Sequence, residues 1–158
     1  MKGKLLFLLV GVLAFFSLQN VGKAQEPKPV IFKADITVAQ EVPAPTPSLA
    51  IGAGVFVLNA ERTELAYAVT FTGMSGQVVG AHFHGPAAMG VAAGVKRTIC
   101  APCESGKLIT GVWSSMDMEA LTPERVQDLL NGQIYFNAHT EGNLPGEIRG
   151  QLFPVSVP

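Results

Sequence analysis

The feature that most narrows the fold is a two-residue period that returns along nearly the whole chain. Leu65, Tyr67, Val69 and Phe71 alternate with the small or polar Ala66, Ala68, Thr70 and Thr72. The same rhythm runs through Val30 to Val38, Gly52 to Asn59, Gln77 to His84, Gln133 to His139 and Glu147 to Phe153. Successive side chains of a strand point to opposite faces, so each run predicts a strand with one apolar face. Val95 to Ile99 and Lys107 to Trp113 are two further strands. Pro43, Pro45 and Pro47 place a loop after the first strand, Gly85-Pro86 closes the strand that ends at His84, and Asn143, Pro145 and Gly146 mark a hairpin-type loop over Thr140 to Gly146. Only Thr122 to Leu130 reads as a helix, with Thr122 as its cap, Pro123 at the first helical position and Asn131-Gly132 as its stop. Short strands at this spacing predict an all-β sandwich or barrel. Ala87 to Gly94 carries too little side chain to join a core.

Residues 1–24 follow a different logic. Lys2 and Lys4 precede an apolar run from Leu5 to Leu18, and Gly22-Lys23-Ala24 offers small residues at the cleavage positions. This is the layout of a secretory signal peptide removed after Ala24, with a core too short to span a bilayer and no cysteine behind it to carry a lipid. The remainder, residues 25–158, is expected to be a single domain, secreted or periplasmic, with no membrane span after cleavage. A charged fraction of 15% beside 48% hydrophobic residues excludes intrinsic disorder. A formal net charge of −1 removes the electrostatic basis for nucleic-acid binding.

The chemistry-bearing side chains gather in three strands. His82 and His84 share one face of their strand, Asn137 and His139 share one face of theirs, and Glu147 and Arg149 do the same in the last. If these strands are neighbours, His82, His84, Asn137, His139, Glu147 and Arg149 form one polar patch. A His-x-His pair with a distant third histidine can supply three imidazole nitrogens to zinc or copper. The same residues can instead form a hydrogen-bonded strand surface, each imidazole holding its own partner, with Arg149 beside a carboxylate such as Glu147. The network is the reading preferred here, because a guanidinium close to the histidines repels any bound cation.

Cys100 and Cys103 are the only cysteines. Their strand-and-turn flanks lack the helix N-terminus that a thioredoxin-type pair uses, and no histidine follows Cys103, which removes the haem-attachment pattern. In an oxidising compartment a local disulfide is the expectation. No serine lies in a nucleophile-elbow context and no glycine loop is built to cradle phosphate, so no enzyme signature emerges.

Several stretches together resemble one family. They are Glu41-Val42-Pro43, Ala81-His82-Phe83-His84-Gly85-Pro86-Ala87, Leu121-Thr122-Pro123-Glu124, Gly132 to Thr140, and Pro145-Gly146-Glu147-Ile148-Arg149-Gly150-Gln151-Leu152. From about Phe32 to Phe153 the chain resembles the CHRD domain, the module first defined in chordin and present in many exported bacterial proteins. The resemblance implies an immunoglobulin-like antiparallel β-sandwich. In chordin the modules belong to an extracellular antagonist of bone morphogenetic proteins, and the resemblance brings no reaction with it. The Cys100 to Cys103 turn lies outside the family motif.

The sequence is therefore read as an exported, non-catalytic binding or structural module whose partner is an extracytoplasmic protein or ligand, with no cofactor demanded by any motif. The alternative is a copper- or zinc-binding protein using His82, His84 and His139.

Overall fold

The computed structural model describes residues 26–155, and the expected signal peptide lies outside them. The elements in chain order are β1 (Val30–Thr37), β2 (Ile51–Leu58), β3 (Glu64–Thr72), β4 (Val78–His84), β5 (Val95–Cys100), β6 (Ile109–Ser114), α1 (Pro123–Leu130), β7 (Tyr135–Thr140), β8 (Asn143–Gln151) and β9 (Phe153–Pro154), with a short 3-10 turn at Val38–Gln40. All pairings are antiparallel. They form one sheet in the order β5-β4-β7-β8-β1-β2-β3-β6, with β9 beside β1.

The immunoglobulin-like β-sandwich expected from the resemblance is corrected here: a single sheet curls into a nearly closed barrel. Its two outer strands are drawn together by side chains on the turn after β6. Glu119 Oε2 accepts from the Thr98 backbone N–H of β5 at 2.7 Å, and the Asp117 carboxylate stands 3.4 Å from the Arg97 guanidinium. Period-two alternation shows that each strand buries a face. It does not say whether those faces look across at a second sheet or inward across one curled sheet.

The interior is filled by the alternate residues that the periodicity marked: Phe32, Ala34 and Ile36 of β1, Phe56 and Leu58 of β2, Leu65, Tyr67, Val69 and Phe71 of β3, and Phe136 and Ala138 of β7 are all buried. Phe83 of β4 is the hub. Its ring lies 5.8 Å from that of Phe56, 5.5 Å from Tyr67 and 5.4 Å from Trp113, the last stacked at 13°. These aromatic contacts fix the register of β4 from the inside. Because Phe83 points inward, His82 and His84 on either side of it must point outward.

The helix forms as its boundary residues dictate. Thr122 Oγ1 accepts from the Arg125 backbone N–H, Pro123 opens the first turn, and Gly132 at φ 68° follows the end. Val126 and Leu129 bury its apolar side. No helix among the described residues is long and apolar enough to cross a membrane.

Candidate metal centre

Strands β4, β7 and β8 differ from an ordinary barrel wall because β7 and most of β8 are buried on both faces. Their outward side chains are polar and lie in rows set by the register. His84 pairs with Tyr135, which pairs with Gln151; His82 pairs with Asn137, which pairs with Arg149; and His139 lies opposite Gly80. Gly80 leaves room for an imidazole: a Cβ there would stand 3.0 Å from His82 Cε1. Two loops cover the layer. The one after β1 brings Glu41, Thr46 and Ser48, and the one between β4 and β5 brings the backbone of Ala87 to Ala93.

The three histidines converge. Ring centroids are separated by 5.6 Å for His82 and His84, 4.9 Å for His82 and His139, and 5.5 Å for His84 and His139, and one ligand nitrogen from each lies within 4.8 Å of the others. His84 Nδ1 is 2.9 Å from the Ala93 carbonyl oxygen, and His139 Nδ1 is 2.9 Å from that of Leu144. A carbonyl only accepts, so both rings carry their proton on Nδ1 and present a bare lone pair on Nε2. Those two Nε2 atoms, together with His82 Nδ1, are buried without any hydrogen-bond partner.

Burial also keeps the rings neutral. It lowers the His84 pKa against the opposing bond to Ala93, with His139, His82 and Arg149 adding further lowering, to about 4. His82 is lowered by burial and then by His139, and His139 is lowered by burial against its bond to Leu144. Neutral imidazoles with free lone pairs and the opposite nitrogen fixed by a carbonyl are the state in which histidine binds metal. A metal at ~2.0–2.1 Å would hold its nitrogens roughly 3.3–3.6 Å apart, so about an ångström of side-chain closure completes the set.

The other residues of the expected patch do different work. Arg149, fully buried, donates to the carbonyls of Val91 at 2.8 Å and Ala88 at 3.0 Å and to Gln151 Oε1 at 2.7 Å. It does not lie against Glu147 as the sequence suggested. Its guanidinium covers the Tyr135 ring at 3.6 Å, and Tyr135 in turn stacks on His84 at 5.1 Å and 18°. An aromatic ring therefore separates the cation from the histidine, and carbonyl oxygens share its charge.

Glu147 is buried at the far end of β8. Its carboxylate accepts from Ser48 Oγ at 2.5 Å, the Ser75 backbone N–H at 2.7 Å, Ser75 Oγ at 2.6 Å, Thr140 Oγ1 at 2.5 Å and Asn143 Nδ2 at 3.3 Å. Burial pushes against the charge, but the bonds from Ser48, Ser75 and Thr140 outweigh it and hold the pKa at about 2. Asn137 Nδ2 donates to Glu41 Oε1 at 3.2 Å, and burial raises the Glu41 pKa against that bond and the one from Val42 N–H. Cys100 and Cys103 form a disulfide, and Cys103 is bridged to Val78 at the start of β4.

Sequence reasoning passed over Tyr135, Gln151, Glu41 and Ser75. The first two share the parity of Asn137 and Arg149, so the alternation already marked them. The carbonyls of Ala87 to Ala93 left no trace in the sequence, because their contribution is backbone.

The profile of the CHRD domain family matches residues 32–152. The chain belongs to this family. No curated protein and no solved structure matches it. The CHRD span runs from β1 to the residue after β8 and so holds the barrel, both covering loops and all three histidines. Within it, the CHRD module carries a three-histidine cluster able to coordinate a metal ion.

Proposed function

We propose that this CHRD module is an exported metal-binding protein whose His82, His84 and His139 hold one copper or zinc ion. The observation that supports this reading is that each of three histidines whose ligand nitrogens lie within 4.8 Å of one another has a buried, unpartnered ring nitrogen. An unsatisfied buried polar atom costs about 1–3 kcal/mol. Three such atoms in one cluster of rings are unfavourable for a purely structural network but are what a ligand set requires. A network would give each ring two partners, whereas His84 and His139 bond a carbonyl through Nδ1 and leave Nε2 free. The repulsion expected from Arg149 is moderated by Tyr135 and by the carbonyls of Ala88 and Val91.

The test is metal analysis of the purified, tag-free chain together with titration of the stripped protein by copper and by zinc. One equivalent should bind, and His84→Ala and His139→Ala should each abolish stoichiometric binding while circular dichroism stays that of a β protein. Full-length folded protein that retains neither metal would overturn the reading.

A further inference from the structure

The donor set has a property that a general metal site does not need: it carries no charge. Among the described residues the cluster consists of three histidines, with no carboxylate or thiolate in the group. The nearby acids are not members of the cluster. Glu147 is surrounded by Ser48, Ser75, Thr140 and Asn143, Asp117 faces Arg97 and the Ser114 N–H, Glu119 bonds Thr98 and acts on His82 only through its charge, and Glu41 bonds the Val42 N–H and Asn137 through Oε1, with Oε2 left without a partner. No donor of the cluster neutralises a divalent ion, and the Arg149 guanidinium stands over Tyr135 beside His84. A monovalent ion suffers half that repulsion.

A second observation concerns the turn after β6. Met116 is 89% exposed and Met118 103% exposed, whereas methionine ordinarily fills cores. These two thioethers flank Asp117 on a turn that is tied down firmly: Trp113 Nε1–H donates to the Glu119 carbonyl at 2.6 Å, and Glu119 accepts from the Thr98 N–H. Thr98 is the register partner of His82. The exposed sulfurs therefore sit on a turn fastened to the strand beside the outermost of the three histidines. Thioether sulfur is a soft ligand that selects monovalent copper over zinc.

Resting on the metal-binding reading above, we propose that the centre takes copper in its monovalent form and that the thioethers of Met116 and Met118 capture the ion before it reaches the histidines. Three histidines also suit zinc when a water completes the set, so the discrimination rests on the soft thioethers beside the site, which favour monovalent copper. No redox step is involved, since the ion is captured and held in one oxidation state.

The experiment is an anaerobic competition on the full chain. Monovalent copper is offered from a chromophoric chelator, and zinc is titrated separately against a zinc indicator. Monovalent copper should bind one equivalent with an affinity at least about tenfold above that for zinc. The double variant M116L/M118L, altered only at exposed positions, should keep the equilibrium affinity but take copper from the chelator about tenfold more slowly. Zinc binding as tightly as copper would overturn the assignment of the ion and leave the metal-binding function standing. Binding of neither metal would overturn both. An unchanged transfer rate in the double variant would overturn the capture role of the methionines.

Discussion

Replacing Glu147 by glutamine tests how the outer polar layer is held. Its Oε1 accepts from Ser48 Oγ and from a backbone N–H that cannot turn away, that of Ser75, while Oε2 accepts from Ser75 Oγ, Thr140 Oγ1 and Asn143 Nδ2. A glutamine can place its oxygen at the first position. Its amide nitrogen then meets two hydroxyls that rotate to accept and one amide that cannot. The shape is kept and the charge is lost, so the effect isolates the charge-assisted bonds. A carboxyl held at about 2 in the folded chain against 4.5 when unfolded contributes about 3 kcal/mol at neutral pH. The sign follows from the depressed value: the contribution is complete above about pH 4.5 and is lost as pH falls towards 2. Urea unfolding, followed through the fluorescence of the single, buried Trp113, measures it. The glutamine variant should be about 3 kcal/mol less stable than the parent at pH 7, and the gap should close to below about 1 kcal/mol near pH 2. Comparing variant with parent cancels the titration of the histidines, which both chains share. Equal stability at neutral pH, or a gap that does not narrow in acid, would refute the account of Glu147.

Three further outcomes follow from the same geometry. Because the folded His84 pKa lies at about 4 and those of His82 and His139 are also lowered, protons compete weakly for the centre and the bound metal should be largely retained at about pH 5; half-release at about pH 6.5, the ordinary imidazole value, would contradict this. Gly146→Ala would place a Cβ 2.5 Å from both Asn137 Oδ1 and Glu41 Oε2 at a φ of 144°, and should cost about 3 kcal/mol or more in chemical denaturation, whereas a loss under about 1 kcal/mol would show that the layer yields easily. Tyr135→Phe keeps the stack on His84 but removes the hydroxyl that accepts from the Ala93 N–H and donates to its carbonyl; it should cost about 1–2 kcal/mol and speed amide exchange at Ala93, and unchanged exchange there would count against the loop being fastened by Tyr135.

Much of the site was legible because strand parity is strict. Once Phe83 is assigned to the core, His82 and His84 have no choice of side, and the same holds for Phe136 against Asn137 and for Ile148 against Glu147 and Arg149. What parity does not contain is the curvature of the sheet, so the sandwich and the barrel shared one pattern until the contacts of Arg97 and Thr98 with the turn after β6 distinguished them. The connection from β7 to β8 was also misjudged. Asn143, Pro145 and Gly146 carry turn chemistry, yet β8 already begins at Asn143, whose side chain accepts from Thr46 and donates to Glu147. Tertiary bonds to the proline-rich loop outweigh local preference there. Arg149 was expected beside a carboxylate because charge pairing is the common solution for a buried guanidinium. Its terminal nitrogens instead bond two carbonyls and one amide and its plane covers an aromatic ring, while Nε is left without a partner and the Glu41 carboxylate acts on it only through its charge.

The covering loop from Ala87 to Ala93 has a consequence for anyone who would engineer this protein. It acts on Arg149, Gln151, Tyr135 and His84 through main-chain groups, at positions that are already mostly alanine. Alanine scanning is therefore blind to it, and a grafting exercise that transplants only the histidines onto another barrel leaves behind the carbonyl that orients His84. What has to be carried over is a path through space, and the mutations that interrogate it are those that bend or lengthen the path: a proline, a deletion or an inserted residue.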